Sequence, residues 1–423
     1  MQLQRWKMFA GTSLAIISLA VPALGAETKG PVTDDIGVVV IQPGDPIVIA
    51  NYAATTGTDF TAGIYEQNGA KIAVEDKGGE VAGHPIQLIT EDAPCTPEGG
   101  QNGATKLIST TDLLAVSGPS CSSSAAVGAP ILWNVGIPSV GTGPSATNLT
   151  APDRPAGLNG FVRVIPTSLV EARLTARYAV EVLKAKTMAT IHDGSNYAEQ
   201  FAINLQKEFK ALGGEITAAE AIAPTDTDMR PVLTRIATNP PDAIAFPVFP
   251  AAASFISRQV KDVPGLDKAT LIATGSIAGV DTLKTAGDSI VGVVYAGIAV
   301  SAFGERYDEF LKKYMAEYGE NPPGGFAAYG YDSTLLIIDA IAKVAKTDDA
   351  GVTYIGRKAL RDAIFATADL PGLSGNLSCD QYGDCGAGDA MVIWKFTSGD
   401  PATFDRGKTN PIIIYPEKFA TKQ

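Results

Sequence analysis

The first candidate functional residues of this sequence are a cysteine and the three serines that follow it, 121–124. They come after an apolar run, 113–116, that predicts a strand, and they open a stretch that predicts a helix. A helix N-terminus presents unpaired backbone N–H groups and the positive end of the helix dipole, and the serine hydroxyls are further donors. This combination predicts a receptor for a carboxylate. The spacing alone leaves open the alternative that one serine only caps the helix.

The start of the chain is typical of a secretory signal. Arg5 and Lys7 precede an apolar stretch at 8–21, and small residues at 22–26 provide a cleavage site. We therefore expect residues 1–25 to be a signal peptide and the mature protein to be exported. No cysteine stands at the cleavage site to carry a lipid, and no later segment approaches the roughly 20 apolar residues of a membrane span. The mature protein is expected to be soluble.

The four cysteines form two plausible pairs, Cys95 with Cys121 and Cys379 with Cys385. Pairing of this kind fits an oxidising compartment. Metal binding is the alternative, but no CxxC element is present and the chain has only two histidines. We expect structural disulfides and no metal site.

Length and charge limit the classes of protein and partner. Removal of the signal leaves about 400 residues, which is too many for one core and suits two domains. The net charge is −12, and subtracting the two charges of Arg5 and Lys7 brings the mature chain to about −14. Nucleic acid and anionic membrane surfaces are therefore not expected as partners.

Apolar runs and helical periodicity alternate along the chain. Strands are predicted at 36–41, 86–90, 113–116, 188–191, 243–246 and 270–273, and helices at 61–77, 97–109, 169–183, 197–212, 229–237 and 252–260. The alternation predicts an α/β fold with parallel sheets covered on both faces. A ligand should then bind outside the carboxyl ends of the strands. The loops at 118–124, 141–147 and 192–197 carry the polar residues for it.

Six short motifs occur in order along the chain. They are Gly78-Gly79, residues 91–95, residues 121–124, residues 136–138 leading to 146–150, residues 192–199 and Arg258-Gln259. Together they resemble the periplasmic binding proteins that supply ABC importers for leucine, isoleucine and valine. The resemblance extends from about residue 35 to residue 415.

This resemblance implies the type I periplasmic binding fold, with two doubly wound parallel-sheet lobes joined by three crossover segments. The crossings are expected near Pro166, Ala299 and Leu373. The expected first lobe is 26–165 plus 300–372, and the second is 166–299 plus 373–423. It also implies a monomer that binds a solute in the cleft without transforming it, uses no cofactor and delivers the solute to permease subunits at the inner membrane.

The resemblance further implies a set of ligand-binding residues. The carboxylate of the solute is expected at Ser122 and at a loop that matches Gly143 and Ser145. Across the cleft, the family's two aromatic positions match Tyr197 and Phe249. The family's first disulfide matches the pair Cys95 and Cys121, as the cysteine count also suggests.

The sequence departs from the family where leucine-type proteins place an acid for the α-ammonium group. The aligned stretch, 274–278, has no carboxylate, and Gly275 and Ser276 stand in its place. Ser276 remains a candidate ligand-binding residue, and Asp281 is the nearest acid that could reach back. A wall aromatic of the family aligns with Ala62, which implies a roomier pocket. We therefore expect leucine to bind weakly and a carboxylate without an α-amino group, or an amide, to compete well.

Three other functions are considered. A sensor of amides or aromatic acids could use the same fold, with the same cleft. Residues 192–195 contain the residue types of a hydrolase triad, but neighbours in sequence rarely converge in space. The expected role of Asp193 and Ser195 is instead to bond the backbone of a turn. The glycines at 141–146 imitate a dinucleotide fingerprint, which Pro144 disturbs.

Overall fold

The structure is a computed structural model that describes residues 26–57, 60–386, 388 and 390–419. The expected signal peptide, residues 1–25, lies outside the described residues. The strands are β1 Glu27–Lys29, β2 Val32–Asp34, β3 Val38–Ile41, β4 Ile47–Ala53, β5 Glu80–Val81, β6 His84–Asp92, β7 Ala115–Ser117, β8 Ser139–Gly141, β9 Phe161–Arg163, β10 Thr187–His192, β11 Glu215–Ala221, β12 Ala243–Ala245, β13 Thr270–Thr274, β14 Val294–Ile298, β15 Lys346–Thr347, β16 Thr353–Gly356, β17 Leu370–Pro371, β18 Asn376–Leu377, β19 Met391–Lys395 and β20 Ile412–Tyr415. The α-helices are α1 Phe60–Asp76, α2 Pro97–Leu107, α3 Ser122–Trp133, α4 Ser168–Glu181, α5 Asn196–Ala211, α6 Arg230–Ile236, α7 Pro250–Gln259, α8 Val280–Ala286, α9 Glu305–Tyr318, α10 Phe326–Val344 and α11 Arg357–Phe365.

Two large sheets organise the chain. A six-stranded sheet has the order β5-β6-β4-β7-β8-β9 and is parallel except for the β5–β6 pair. A seven-stranded sheet has the order β11-β10-β12-β13-β14-β19-β20 and is parallel from β11 to β14. At the other edge, β19 pairs antiparallel with β14, and β20 pairs antiparallel with β19. The predicted α/β fold is confirmed, with antiparallel strands added at the edges.

Helices cover both faces of the six-stranded sheet, as its central strand shows. In β4, Ile47 and Ile49 pack in one core with side chains of α10 and α11. The alternate residues, Ala50 and Tyr52, pack in another core with side chains of α2 and α3. Successive side chains of a strand point to opposite faces. An apolar run without polar alternation therefore needs cover on both sides, as in this lobe.

The seven-stranded sheet is covered in the same way. Ala189 and Ile191 of β10 pack in the core that contains side chains of α6 and α7. Met188 of the same strand packs in the core that contains side chains of α4 and α5. We call the unit around the six-stranded sheet the first lobe and the unit around the seven-stranded sheet the second lobe.

The chain passes between the lobes three times. The packing core changes between 164 and 172, between 299 and 303, and between 385 and 392. The sequence predicted the third crossing near Leu373, but the crossing lies further along the chain. Leu377 and Cys385 still pack in the core of the first lobe. The N–H of Cys385 also donates to the carbonyl of Arg163, which holds this segment on the first lobe.

Both predicted disulfides are present, Cys95 with Cys121 and Cys379 with Cys385. The described residues contain no group of three histidine, cysteine or acidic side chains that could hold a metal ion. Among the same residues, none of the helices has the length and apolar character needed to cross a membrane.

Candidate functional site

The loops that carry the predicted site residues follow the carboxyl ends of parallel strands in both lobes. In the first lobe, Ser122 follows β7, and Gly143 and Ser145 follow β8. In the second lobe, Tyr197, Phe249 and Ser276 follow β10, β12 and β13. Carboxyl ends of neighbouring parallel strands share one edge of a sheet, which is where open α/β sheets bind ligands.

The two lobes contact each other directly beside these loops, chiefly through Asn196. Its backbone N–H donates to Ser123 Oγ over 3.2 Å, and its amide nitrogen lies 3.4 Å from the carbonyl oxygen of Ser122. The Asn148 amide also donates to Asn196 Oδ1 over 2.8 Å. The N-terminus of α3 in the first lobe therefore lies next to the N-terminus of α5 in the second.

The start of α3 has the features of an anion receptor. The helix begins at Ser122, after Cys121, and no side chain caps it. Ser122 Oγ accepts a hydrogen bond from the N–H of Ala146 over 3.1 Å, so its own proton remains available. The Ser124 hydroxyl donates to the carbonyl of Pro94, 2.8 Å away. The alternative that a serine caps this helix is therefore wrong.

The facing loop after β8 is held close to the receptor. A Cβ atom at Gly143 would lie 2.1 Å from the carbonyl oxygen of Ser120, so only glycine fits there. The carbonyl of Ser145 accepts from the N–H of Ser168 in the second lobe over 2.8 Å. Within the described part of the chain, the buried hydroxyl of Ser145 makes no hydrogen bond and is available to a ligand.

Arg163 holds this loop from behind, a role that the sequence did not indicate. Its guanidinium is fully buried and donates to the carbonyls of Pro144 and Ala146, over 3.1 and 2.7 Å. It also donates to the Thr150 hydroxyl and forms an ion pair with Asp384 over 2.5 Å. Because Asp384 precedes Cys385, the second disulfide loop is tied to the loop that faces the anion receptor.

A second unforeseen residue, Glu66 of α1, is buried next to the receptor. Ser120 donates its hydroxyl to Glu66 Oε2 and accepts from the N–H of Ala54 over 2.9 Å. Burial raises the pKa of Glu66 to about 8, partly offset by the hydroxyl of Ser120. Near neutral pH the carboxyl is therefore largely protonated, and it places little negative charge near the start of α3.

Two other predicted residues, Ser276 and Phe249, lie in the loops after β13 and β12 of the second lobe. Ser276 Oγ donates to the carbonyl of Val248 over 2.8 Å and lies 3.0 Å from Thr274 Oγ1. Its proton is thus used to join the loops after β12 and β13. Phe249 is half-buried and is the residue before α7, in the loop after β12.

Tyr197 brings a carboxylate to the place where the sequence lacks one. Its hydroxyl donates to Glu171 Oε2 over 3.0 Å, and the N–H of Gly275 donates to Glu171 Oε1 over 3.1 Å. Burial raises the pKa of Glu171 to about 7, and the two donors only partly lower it. Burial, followed by the charge of Glu171, holds the pKa of Tyr197 well above its ordinary value. The stretch 274–278 has no acid of its own, but Glu171 of α4 lies beside Gly275, so the reason for expecting leucine to bind weakly no longer holds.

Asp281 does not supply this acid. Its carboxylate pairs with Lys284 over 2.8 Å and its side chain is 55% exposed. The predicted turn at 192–195 is confirmed, since Asp193 Oδ1 accepts from the N–H of Ser195 over 3.0 Å. Ser195 Oγ in turn accepts from the N–H of Ala198 at the start of α5. These residues are used in a helix entry, not in a catalytic triad.

The chain matches the periplasmic binding protein family over residues 46–381. A leucine-, isoleucine-, valine-, threonine- and alanine-binding protein from Pseudomonas aeruginosa is 24% identical over 342 residues, which cover 80% of this chain and 87% of that protein. Among solved structures, a leucine-binding protein from Thermotoga maritima has a TM-score of 0.73 at 22% identity. The matched region covers 84% of this chain and 96% of the Thermotoga chain. A solute-binding protein from R. palustris, solved with benzoate, has a TM-score of 0.69 at 19% identity, with coverages of 87% and 95%.

Proposed function

The chain belongs to the periplasmic binding protein family, and we propose that it captures a small carboxylate-bearing solute of branched-chain amino acid type between its lobes. It then delivers the solute to ABC permease subunits at the inner membrane. Members of this family bind and do not transform their ligands, so the chain is not an enzyme. The observation that carries the proposal is the pair of unused donors, the hydroxyl protons of Ser122 and Ser145, at a helix N-terminus where the lobes meet.

The geometry favours a carboxylate over other ligands. Hydrogen bonds from hydroxyl and backbone N–H groups to an anion are stronger than those to a neutral acceptor. Buried Glu66 repels an anion only weakly near neutral pH, because its carboxyl group is largely protonated there. The relatives support the same class, since the Pseudomonas protein is named for five amino acids and the R. palustris protein was solved with benzoate.

We place this function in the periplasm. The N-terminal sequence has the pattern of an export signal, and two disulfides suit an oxidising compartment. The chain also belongs over residues 46–381 to a family of periplasmic binding proteins, whose name refers to that compartment.

A thermal-shift screen of the mature protein tests the proposal. A ligand that binds only the folded state raises the unfolding midpoint by mass action. We expect one or a few of the amino acids, aromatic acids and short carboxylates in a broad panel to raise it. A panel in which no carboxylate changes the midpoint would contradict the proposal.

Replacement of Ser122 tests the site itself. Ser122→Ala removes one donor to the carboxylate and should weaken binding by about 1–3 kcal/mol while the fold is kept. Ser124→Ala is the matched control, because that hydroxyl donates to the carbonyl of Pro94 and should affect stability more than affinity. Titration calorimetry of both variants measures the difference. Equal affinity in the parent and Ser122→Ala would refute the assignment.

Deletion of the gene separates import from sensing. We expect the deletion strain to lose uptake of the solute identified in the screen. If uptake is unchanged while a transcriptional or behavioural response to that solute is lost, the protein is a sensor that uses the same cleft.

A further inference from the structure

Glu171 is a buried carboxylate for which the chain provides no cation. Only 6% of the residue is exposed, and its two oxygens accept from the Tyr197 hydroxyl and the Gly275 N–H. Within the described residues, it takes part in no ion pair, and no positive charge is among the groups that shift its pKa. A buried carboxylate that is ionised is as a rule paired with a cation as well as hydrogen-bonded.

The hydrogen bonds of Glu171 suit its ionised form. Both neighbours act as donors, one to each oxygen, and a carboxylate is an acceptor at both oxygens. A carboxylate has about four lone-pair sites, so two donors leave acceptor capacity unused. The carboxylate of Glu171 can therefore accept a further hydrogen bond from a positively charged donor.

The position of Glu171 places this capacity at the cleft. Tyr197 follows Asn196, whose N–H donates to Ser123 Oγ at the start of α3. Gly275 directly follows β13, at the carboxyl edge of the sheet in the second lobe, which is where open α/β sheets bind ligands. The side chain of Tyr197 therefore connects the carboxylate of Glu171 to the N-terminus of α5, which contacts the anion receptor of the opposite lobe.

We propose that Glu171 receives a cationic amino group of the solute and selects amino acids over plain carboxylic acids. This inference rests on the proposed function, because it assumes that the solute's carboxylate is held at Ser122. A zwitterion would then bridge the lobes, with its anionic end on the first and its cationic end on the second. The acceptor is contributed by the first turn of α4, not by the loop after β13.

Titration calorimetry with matched probes tests this. The probes are L-leucine, or whichever L-amino acid raises the unfolding midpoint most, and the same acid without its amino group. We expect the parent to bind the amino acid at least about tenfold more tightly than the deaminated acid, since an unpaired buried charge is costly. A parent that binds the deaminated acid equally well or better would overturn the inference and leave the proposed function standing.

Glu171→Gln removes the charge and keeps the shape. Its amide oxygen can accept from the Gly275 N–H, and the Tyr197 hydroxyl can turn to accept from its NH₂, so the local contacts survive. We expect this variant to lose about tenfold or more in affinity for the amino acid and to bind the deaminated acid within about threefold of the parent. Glu199→Gln, which changes an exposed acid in the first turn of α5, is the control and should bind both probes like the parent.

The other outcomes are also decisive. If Glu171→Gln binds the amino acid as tightly as the parent, or loses both probes equally, Glu171 has only a structural role and the inference fails. If the parent binds no carboxylate of any kind, it is the proposed function that fails. The ratio of the two affinities distinguishes these cases, since a general loss of folding would lower both together.

Discussion

Replacement of Arg163 by methionine should destabilise the protein strongly, although Arg163 is not placed against the ligand. Its fully buried guanidinium donates to two carbonyls, to the Thr150 hydroxyl and to Asp384. Methionine fills much of the same volume and makes none of these bonds. The carbonyls of Pro144 and Ala146 and the carboxylate of Asp384 would lose a donor at once.

The magnitude follows from these partners. Removing one member of a buried ion pair typically costs about 3–5 kcal/mol. Each buried acceptor left without a donor adds about 1–3 kcal/mol. The side chain of Asp384 is 29% exposed and can be rehydrated, and water relieves part of the loss. We therefore expect Arg163→Met to lower the free energy of unfolding by about 3–5 kcal/mol.

Urea unfolding of the variant and a matched control measures this effect. Arg173→Met removes an arginine whose side chain is 54% exposed and which pairs with Glu208 over 3.1 Å. An exposed pair of this kind contributes about 0–1 kcal/mol. Because Arg163 also holds Ala146 against Ser122, only Arg163→Met should weaken ligand binding. If the two variants were equally stable, Arg163 would not hold the loop as described.

Two further predictions concern the buried acids and the loop glycine. The pKa values of Glu66 and Glu171 are raised from 4.5 to about 8 and about 7, so the unfolded chain ionises these carboxyls first as the pH rises. Their contribution to the stability of the ligand-free protein should therefore be greatest below pH 4.5 and be lost as the pH rises toward 8. The loss should amount to several kcal/mol for the two groups together, because each unit of raised pKa corresponds to about 1.4 kcal/mol. Urea unfolding should show that the difference in unfolding free energy between the parent and a variant with glutamine at both positions changes across this pH range. A difference that stayed constant with pH would contradict the raised pKa values of the two carboxyls. Gly143→Ala should weaken ligand binding and lower the unfolding midpoint, because its Cβ would meet the carbonyl of Ser120. Gly279→Ala is the control and should do neither, because its Cβ would have nothing within 4 Å. Thermal unfolding of both variants with and without ligand measures these effects.

Much of the fold could be predicted because periodicity reports burial directly. The predicted strand at 188–191 lies within β10, and the predicted helix at 197–212 matches α5 within one residue at each end. Periodicity does not report the partner of a strand. The run at 36–41 does form a strand, β3, but β3 pairs antiparallel with β16 in a small sheet. The six-stranded sheet is built around β4 instead.

The site was predictable where one short motif carries it and not where distant segments meet. Ser122 follows a strand and opens a helix, so its place could be read from local sequence. Glu171 gave no such signal, because acids are common in the first turn of a helix. Its contact with Gly275 joins residues 104 positions apart. Likewise, the sequence placed the third crossing near Leu373 without showing that a disulfide loop beyond it returns to the first lobe.

A crystal structure of the mature protein with its solute would show directly whether the solute binds between the lobes at the start of α3. We expect the carboxylate of the solute within hydrogen-bond distance of Ser122 Oγ and Ser145 Oγ, with a cationic nitrogen at Glu171 on the opposite lobe. A solute bound outside the space between the lobes, or bound there with its carboxylate away from the start of α3, would contradict this expectation.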